Sequence, residues 1–306
     1  MTDPFAAMFK DIGQDYEAAL SRQETDADGV RHWREVVFAH VMGFRPLTLF
    51  VSVPKAPAPP PLVIFIHGGA WKMGHPAVGS AVYAALDPIG KLLRAGFAVA
   101  RISYRFSSEA IFPTQLHDCK AAVRFLRKRA SVFGFDPKRL ATMGDSAGGH
   151  LAALVGLTGD VAGLEGEVGE TSGSSAVQAV IDWFGPAELL TMRAQALPDG
   201  MKGQDDADSP ESQLVGGPIQ EYRAAAMAAS PLSYVSRAAP PFHIQHGTRD
   251  RLVPLGQSEV LHRTLLGAGA DSTLVVIEGA DHCFWGVPPE GIVERDIAFL
   301  RAKLGN

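Results

Sequence analysis

The segment Leu140-Ala-Thr-Met-Gly-Asp-Ser-Ala-Gly-Gly-His150 contains a short apolar run followed by the pattern G-x-S-x-G. The apolar run predicts a strand over Leu140 to Met143, and the residues from Gly149 to Thr158 have helical spacing. Ser146 is therefore expected on a sharp strand-to-helix turn, where the neighbouring glycines remove side chains that would collide. The N-terminus of the following helix favours negative charge beside Ser146, so this serine is the candidate nucleophile.

A second glycine-rich loop, His67-Gly-Gly-Ala-Trp71, follows the predicted strand Leu62 to Ile66. Its flexible backbone can turn N–H groups toward an oxyanion that develops beside a nucleophilic serine. A phosphate-binding loop is the alternative use of such glycines, but the sequence contains neither G-x-x-x-x-G-K-[ST] nor G-x-G-x-x-G after a strand. We therefore interpret the loop as part of an oxyanion site.

Strand-like and helix-like segments alternate along most of the chain. Short, nearly all-apolar strands between longer helical segments are typical of a mostly parallel sheet with helices on both faces. Ligands of such sheets bind at the carboxyl ends of the strands. The predicted strands are Arg34 to His40, Leu47 to Val53, Leu62 to Ile66, Ala98 to Tyr104, Leu140 to Met143, Val177 to Phe184, Phe242 to Gln245 and Thr273 to Glu278, and the predicted helices are Ala81 to Ala95, Gln115 to Ala130, Gly149 to Thr158, Gln257 to Ala268 and Ile292 to Leu304.

One α/β domain is expected over residues 1–306. The proline-rich run Pro54 to Pro61 is short, which favours a surface loop over an interdomain linker. Two segments are predicted to form a small cap over the strand ends. They are residues 1–30, which contain an amphipathic helical pattern, and residues 187–229, which are rich in Gly, Pro and acidic residues. For the second segment, a solvated surface excursion is the alternative.

Composition and charge exclude several classes of protein. The chain has 306 residues, of which 46% are hydrophobic and 20% charged, and no apolar run approaches the length of a membrane span. Lys and Arg number 28 against 33 Asp and Glu, a net charge of −5, so we expect neither nucleic acid nor a membrane as a partner. The acidic N-terminus is unlike a signal peptide, and Cys119 and Cys283 are far apart in sequence, which favours the cytoplasm.

A nucleophilic serine needs a base, and the base needs an acid that orients it. His282 lies just past the last predicted strand, from where a loop can return it to Ser146. Asp250 follows the preceding strand and can reach His282 from the adjacent strand end. Asp281 is the rival acid, but neighbours in a loop seldom make the in-plane contact to Nδ1 that fixes the tautomer of an imidazole. We therefore expect Asp250 to be the acid.

Other chemistry-bearing residues give weaker signals. His243 and His246 look like a metal pair, but three residues along a strand separate them onto opposite faces, so a structural role and no metal site are expected. Five aromatic residues follow strand ends and either line an apolar substrate pocket or belong to the core: Trp71, Trp183, Phe184, Phe284 and Trp285.

Taken together, the motifs resemble the α/β-hydrolase fold in its carboxylesterase branch, which includes hormone-sensitive-lipase-like esterases, BD-FAE-type esterases and kynurenine formamidases. The resemblance covers nearly everything after about residue 34. The matching segments are His67 to Trp71, Tyr104-Arg105, Gln115 to Ala122, Gly144 to His150, Asp182 to Pro186 and Ser209 to Ser212. Ala70 stands where many hormone-sensitive-lipase relatives have a third glycine, which favours the HGGxW subgroup.

The resemblance implies Ser146 as nucleophile, Asp250 as acid and His282 as base. It also implies that backbone N–H groups of Gly69, Ala70 and Ala147 hold the oxyanion and that no cofactor is needed. The expected function is a serine carboxylesterase that acts on small uncharged esters. Two alternatives remain open at this point, an arylformamidase with the same three residues and a non-catalytic binding protein. A homodimer is also left open.

Overall fold

A nine-stranded sheet forms the centre of the computed structural model, which describes residues 22–77, 81–159 and 161–305. The strands have the order β1-β2-β3-β5-β4-β6-β7-β8-β9. Strands β4 to β9 are parallel to one another, and β1, β2 and β3 extend one side as an antiparallel meander. The bounds are β1 Gln23–Thr25, β2 Arg31–Ala39, β3 Leu47–Val53, β4 Leu62–Ile66, β5 Ala98–Ile102, β6 Leu140–Asp145, β7 Ala179–Trp183, β8 Phe242–Gly247 and β9 Ser272–Ile277.

Helices connect the parallel strands and cover both faces of the sheet, as expected for an α/β-hydrolase. We number them in chain order. The helices are α1 Ala81–Leu86, α2 Pro88–Arg94, α3 Thr114–Lys128, α4 Ala130–Phe133, α5 Ala147–Leu157, α6 Met192–Gln195, α7 Pro210–Val215, α8 Arg223–Ala228, α9 Gly256–Gly267 and α10 Ile292–Leu304, with 3-10 turns at Ala162–Leu164, Leu189–Thr191, Pro231–Tyr234 and His282–Phe284.

Strand β4 shows why the parallel strands are nearly continuous runs of apolar residues in the sequence. All five of its residues are buried, and successive side chains enter opposite faces of the sheet. Leu62, Ile64 and Ile66 belong to the hydrophobic cluster on one face, and Val63 and Phe65 belong to the cluster on the other. Since each face must be covered by helices, this pattern places the core in two layers, one above and one below the sheet.

The predicted helix over residues 81–95 is wrong in one respect, because the structure has two helices there. Asp87 separates them with a left-handed φ of 45°, and its carboxylate accepts a hydrogen bond from the N–H of Gly90. Pro88 then begins the second helix, where the missing N–H of a proline costs nothing. The predicted helix over residues 115–130 is likewise followed by a separate short helix, α4.

The segment 187–229 packs against the parallel part of the sheet. Leu214 and Ile219 are fully buried, and the backbone N–H of Ala187 donates to Oε1 of Gln257 on α9 at 2.8 Å. Its helices are short, and the helix within residues 219–229 is α8, which spans only Arg223–Ala228. Of the other predicted cap element, residues 1–21 lie outside the described residues, and residues 22–30 contain the unpredicted strand β1. A role as a cap stays a prediction for both segments.

A buried ion pair ties the end of β5 to helix α3. The guanidinium of Arg105 donates through Nε and Nη2 to the two oxygens of Asp118, at 2.9 and 2.6 Å, and Asp118 is fully buried. Removing one partner would leave the other charge buried without compensation, so we expect Asp118→Ala to lower the free energy of unfolding by about 3–5 kcal/mol. Urea denaturation followed by circular dichroism measures this loss.

An exposed pair serves as the control for that measurement. Lys303 contacts Asp271 at 2.6 Å on the surface, and Lys303→Ala should cost about 1 kcal/mol or less because solvent screens the pair. Equal losses in the two variants would contradict a special contribution of the buried pair.

Candidate active site

The turn between β6 and α5 holds Ser146 in a strained conformation. Its φ of 53° and ψ of −121° are unfavourable for a residue with a side chain, and such strain costs roughly 1–3 kcal/mol. The turn is also too tight for side chains at its ends. A Cβ on Gly148 would overlap the carbonyl oxygen of Ile66, and a Cβ on Gly144 would overlap the carbonyl oxygen of Gly148. The glycines of G-x-S-x-G are therefore required by the close approach of β4 and α5.

Three side chains from three strand ends form one hydrogen-bonded row. Nε2 of His282 lies 3.1 Å from Oγ of Ser146, and Nδ1 of His282 lies 2.8 Å from Oδ2 of Asp250. Because a carboxylate only accepts, the ring carries its proton on Nδ1 and leaves Nε2 free to accept from the serine hydroxyl. The structure thus brings together the three residues that the sequence singled out as nucleophile, base and acid.

The rival acid, Asp281, has other partners. Its Oδ2 accepts a hydrogen bond from Nε of Arg251 at 2.6 Å, and its Oδ1 accepts one from the backbone N–H of His282 at 2.7 Å. It therefore contacts the backbone of His282, while Asp250 contacts the imidazole.

Asp250 is almost completely buried and surrounded by donors. The backbone N–H groups of Leu252 and Val253 donate to Oδ1 at 2.9 and 2.8 Å, and the rings of His282 and His246 approach Oδ2 at 2.8 and 3.3 Å. Burial by itself raises the pKa of this carboxyl, but the hydrogen bonds from His246 and His282 outweigh it and hold the pKa well below its usual range. The group is therefore ionised at neutral pH, as an orienting acid must be.

The loop 67–71 is fixed from two sides. The N–H of Gly68 donates to Oδ1 of Asp145 at 2.9 Å, and the hydroxyl of Tyr104 donates to the carbonyl of His67 at 3.0 Å. Past Gly68 the chain turns through three residues with positive φ: Gly69 at 113°, Ala70 at 55° and Trp71 at 56°.

The three expected oxyanion donors remain available. Within the part of the chain that the structure describes, the backbone N–H groups of Gly69, Ala70 and Ala147 donate to no other group. Ala147 is the first residue of α5, where an N–H has no partner inside the helix.

Four of the five predicted pocket aromatics are buried. Trp71 donates from Nε1 to Nδ1 of His150, and Trp183 donates from Nε1 to Oδ2 of Asp296, so the structure places both in the core. Phe184 and Phe284 are buried beside the row of side chains, with the ring of Phe184 4.7 Å from that of His282. Trp285 is 60% exposed. The structure corrects the prediction that Trp71 and Trp183 line a pocket. Both are core residues, and each indole N–H donates to a buried partner, as an indole N–H inside a protein requires.

A cavity of about 530 Å³ adjoins the loop 67–71. It reaches Gly68 and Gly69 at one end and Cys283, the neighbour of His282, at another. Its lining contains apolar groups and a smaller number of polar ones: Phe65, Met73, Pro76, Ala84, Pro88, Ile89, His67, Gly68, Gly69, Gly74, His75, Asp87, Arg101, Asp145 and Cys283. None of the five predicted pocket aromatics lines it. Phe65 on β4 and Arg101 on β5 line this cavity. The sequence could not predict them as pocket residues, because their spacing is that of ordinary strand residues.

Two of the three charged groups of the cavity wall, the carboxylates, are hydrogen-bonded. Asp87 binds Nη2 of Arg94 at 2.6 Å, and Asp145 binds the N–H of Gly68. The guanidinium of Arg101 lies 5.2 Å from the centre of the Phe50 ring. The surface left for a ligand is therefore mainly apolar.

Two kinds of feature are absent from residues 22–77, 81–159 and 161–305. In these ranges the structure brings no three His, Cys, Asp or Glu side chains into an arrangement that could bind a metal ion. The same ranges contain no helix with the length and apolar character of a membrane span.

Comparison with known families agrees with the fold and the motifs. The BD-FAE family model matches residues 50–265, which include the end of β3, all of β4 to β8 and the serine turn. The chain belongs to the BD-FAE family. Its relation to kynurenine formamidases stays a prediction.

Relatives of this BD-FAE protein carry esterase names. It is 32% identical to Esterase LipC of Mycobacterium tuberculosis over 76% of this chain and 55% of LipC, and 30% identical to Esterase LipQ of the same organism over 73% of this chain and 50% of LipQ. The chain spans about half the length of the curated relatives it matches.

Solved structures give the same result for the α/β-hydrolase fold. A truncated carbohydrate esterase from gut microbiota superimposes with a TM-score of 0.79 at 31% identity, covering 92% of this chain and 99% of that one. Esterase Est2 of Thermogutta terrifontis superimposes with a TM-score of 0.65 at 26% identity, covering 87% and 89% of the two chains.

The lowered pKa of Asp250 has a consequence for stability. A carboxyl whose pKa is lower in the folded state stabilises that state above the unfolded value of about 4, and this stabilisation is lost as pH falls through that value toward the folded pKa. We therefore expect Asp250→Asn to flatten the fall in unfolding free energy between pH 5 and pH 3. Urea unfolding at several pH values measures both slopes.

The exposed Asp208 supplies the matched control. Asp208→Asn should keep the slope of the wild type in the same series. Parallel curves for the wild type and Asp250→Asn would contradict the stabilised carboxylate.

Proposed function

We propose that this protein is a serine carboxylesterase that hydrolyses small carboxylic esters through an acyl-enzyme on Ser146. The observation that carries the proposal is the hydrogen-bonded row from Ser146 through His282 to Asp250 at the carboxyl ends of parallel strands. The esterase names of its relatives support the same reaction class. A serine, a base and an orienting acid in this order are the groups that acyl transfer requires.

In the first half of the reaction, Nε2 of His282 takes the proton of the Ser146 hydroxyl while Oγ attacks the ester carbonyl carbon. The tetrahedral intermediate then collapses as His282 returns that proton to the leaving alcohol, which gives an acyl-enzyme. In the second half, a water loses its proton to His282 and attacks the acyl carbon. The carboxylic acid leaves, and Ser146 regains its proton.

Negative charge on the carbonyl oxygen is stabilised by the backbone. The N–H groups of Gly69, Ala70 and Ala147 have no other acceptor among the described residues, and the N-terminus of α5 adds a favourable dipole. The bond from Gly68 to Asp145 and the bond from Tyr104 to His67 hold the loop in place while charge develops. In this proposal these donors act on the transition state without rearranging.

The 530 Å³ cavity is the proposed acyl site. Its surface is mainly apolar and both of its carboxylates are hydrogen-bonded, which favours short uncharged acyl groups. The exposed ring of Trp285, three residues after His282, offers a flat surface for the alcohol part of the ester. A sugar ring or an aromatic alcohol fits such a surface, and the carbohydrate esterase similarity supports the first of these.

Replacing the nucleophile tests the mechanism directly. Ser146→Ala should lower kcat for p-nitrophenyl acetate by roughly 10⁴–10⁶-fold while the protein stays folded, since the groups of the row act as a unit. A phosphonate should label the wild type once, at Ser146, and peptide mass spectrometry locates the adduct.

The cysteine beside His282 is the control for the labelling. Burial raises the pKa of the Cys283 thiol to about 12, so it is not a thiolate at neutral pH. Cys283→Ala should therefore still be labelled at Ser146. Activity in Ser146→Ala above a few per cent, in a preparation free of wild type, would show that Ser146 is not the nucleophile.

Filling the cavity tests the acyl site. Ile89 is a half-buried residue of its lining on α2, and Ile89→Trp should shorten the pocket. Each methylene that no longer fits costs about 0.8 kcal/mol, roughly fourfold in kcat/KM, so octanoate and hexanoate esters should lose more activity than acetate. Values of kcat/KM for a series from acetate to octanoate give the profile.

An equal change in size on the surface is the control. Leu266 on α9 is half exposed and outside the cavity, and Leu266→Trp should keep the wild-type chain-length profile. The same profile in Ile89→Trp and the wild type would mean that acyl chains bind elsewhere.

A further inference from the structure

A second imidazole contacts the carboxylate that holds His282. His246, near the end of β8, is fully buried, and its Nε2 lies 3.3 Å from Oδ2 of Asp250 and 2.8 Å from the carbonyl oxygen of Val253. Its Nδ1 lies 2.7 Å from Oγ of Ser258 on α9. Both ring nitrogens are therefore engaged, and one of them is directed at the acid of the row.

The partners of His246 fix the position of its proton. A carbonyl oxygen and a carboxylate only accept, so Nε2 must carry the hydrogen, which is donated to Val253 and lies beside Oδ2 of Asp250. In the neutral ring, Nδ1 then accepts the hydroxyl hydrogen of Ser258. Ser258 thus holds the tautomer that donates toward Asp250.

The two histidines share one carboxylate oxygen. Oδ2 of Asp250 is contacted by Nδ1 of His282 at 2.8 Å and by Nε2 of His246 at 3.3 Å, while Oδ1 is held by two backbone N–H groups. Val253 gives its N–H to Asp250 and its carbonyl to His246. The ring therefore closes the turn 250–253 and limits rotation of the carboxylate.

We propose that His246 is a positioning residue for the reaction, which keeps Asp250 in the orientation that His282 requires and weakens Oδ2 as an acceptor for Nδ1–H. This proposal rests on the esterase function proposed above. The residue acts through Asp250 and touches neither the substrate nor Ser146.

Loss of His246 should move the acidic limb of the kcat/KM profile in one direction. With one donor fewer, Oδ2 of Asp250 becomes a stronger acceptor and stabilises the imidazolium form of His282 more. Since His282 must be neutral to take the serine proton, the acidic limb of the kcat/KM profile should move to higher pH. A less restrained carboxylate also orients the imidazole less well, which lowers kcat.

Other titratable groups lie near Asp250 and His282, and their titration must be distinguished from the effect of losing His246. Asp182 on β7 is fully buried, and burial raises its pKa to about 6, inside the range of the assay. Burial raises the pKa of the Cys283 thiol to about 12, above the range of the assay, and Asp281 is engaged by Arg251. The buried ring of Phe184 lies near both imidazoles and carries no charge. The pH profile of kcat/KM is therefore also measured for Asp182→Asn, which should retain the acidic limb of the wild type.

The experiment compares His246→Leu with His246→Gln in the full-length protein, using p-nitrophenyl acetate from pH 5 to 9. Titration of Ser146 with a phosphonate normalises each rate to the number of active sites. We expect His246→Leu to lower kcat about 10–100-fold, to change KM by less than about threefold and to shift the acidic limb upward by roughly half a pH unit or more. His246→Gln, whose amide can donate from the position of Nε2, should recover most of both effects.

His243 is the matched control on the same strand. It is also buried, but it stacks on Phe299 at 5.2 Å on the other side of the sheet. His243→Leu should lower the melting temperature and leave the limb and the rate per titrated site unchanged. If His246→Leu does not fold, Ser258→Ala tests the same proposal, because freeing Nδ1 should shift the limb in the same direction by a smaller amount.

The outcomes separate the two proposals. A lower melting temperature in His246→Leu with unchanged kcat and limb per titrated site would show that His246 only stabilises the fold, and so would an equal limb shift in His243→Leu. Loss of the limb in Asp182→Asn would assign the titration to another group and also overturn the proposal. Activity retained by Ser146→Ala would instead overturn the esterase function itself.

Discussion

The parallel register of β4 and β6 is the constraint on which the candidate site depends. Ile66 is paired with Gly144, so the loop after β4 and the serine turn after β6 begin side by side. At this distance Gly144 and Gly148 leave no room for a Cβ, and the N–H of Gly68 reaches the carboxylate of Asp145. Parallel pairing continues through β7, β8 and β9, which places the loops that carry Asp250 and His282 at the same edge. The chemistry is thus assembled by sheet geometry, from segments that are far apart in sequence.

Backbone strain is concentrated at this same edge of the sheet. Non-glycine residues with left-handed φ follow the carboxyl ends of four of the parallel strands: Ala70 and Trp71 after β4, Ser146 after β6, Phe184 after β7, and Cys283 and Phe284 after β9. Each such conformation costs on the order of 1–3 kcal/mol, and burial of one large apolar side chain contributes about 1.5–3 kcal/mol. Trp71, Phe184 and Phe284 are themselves buried, so their packing offsets the strain of their own backbone. The site is held in shape by the core directly beneath it.

The sequence was sufficient to predict the parts of the structure that depend on local pattern. Strand β4 and helix α10 have the predicted bounds, and Ser146, Asp250 and His282 were identifiable because each lies within five residues of the end of a predicted strand. Contacts between distant segments were not predictable in the same way. Trp71 and Trp183 follow strand ends as pocket residues do, yet their indole N–H groups meet partners 79 and 113 residues away. The sequence predicts a structural role for His246, but its contact with Asp250, four residues away across a turn, depends on the conformation of that turn.

A neutral histidine connects the loop 67–71 to the segment 187–229. His150 on α5 accepts the indole N–H of Trp71 at Nδ1 and donates from Nε2 to the carbonyl of Ala229, at the end of the segment 187–229. Complete burial lowers the pKa of this imidazole to about 4, so it stays neutral at physiological pH, and its two hydrogen bonds keep their direction. Because Trp71 is the last residue of the loop, any displacement of the segment at Ala229 is transmitted through one rigid ring to the loop. The conformation of the loop 67–71 and the position of that segment are therefore coupled through three groups, the indole of Trp71, the ring of His150 and the carbonyl of Ala229, without a change of charge.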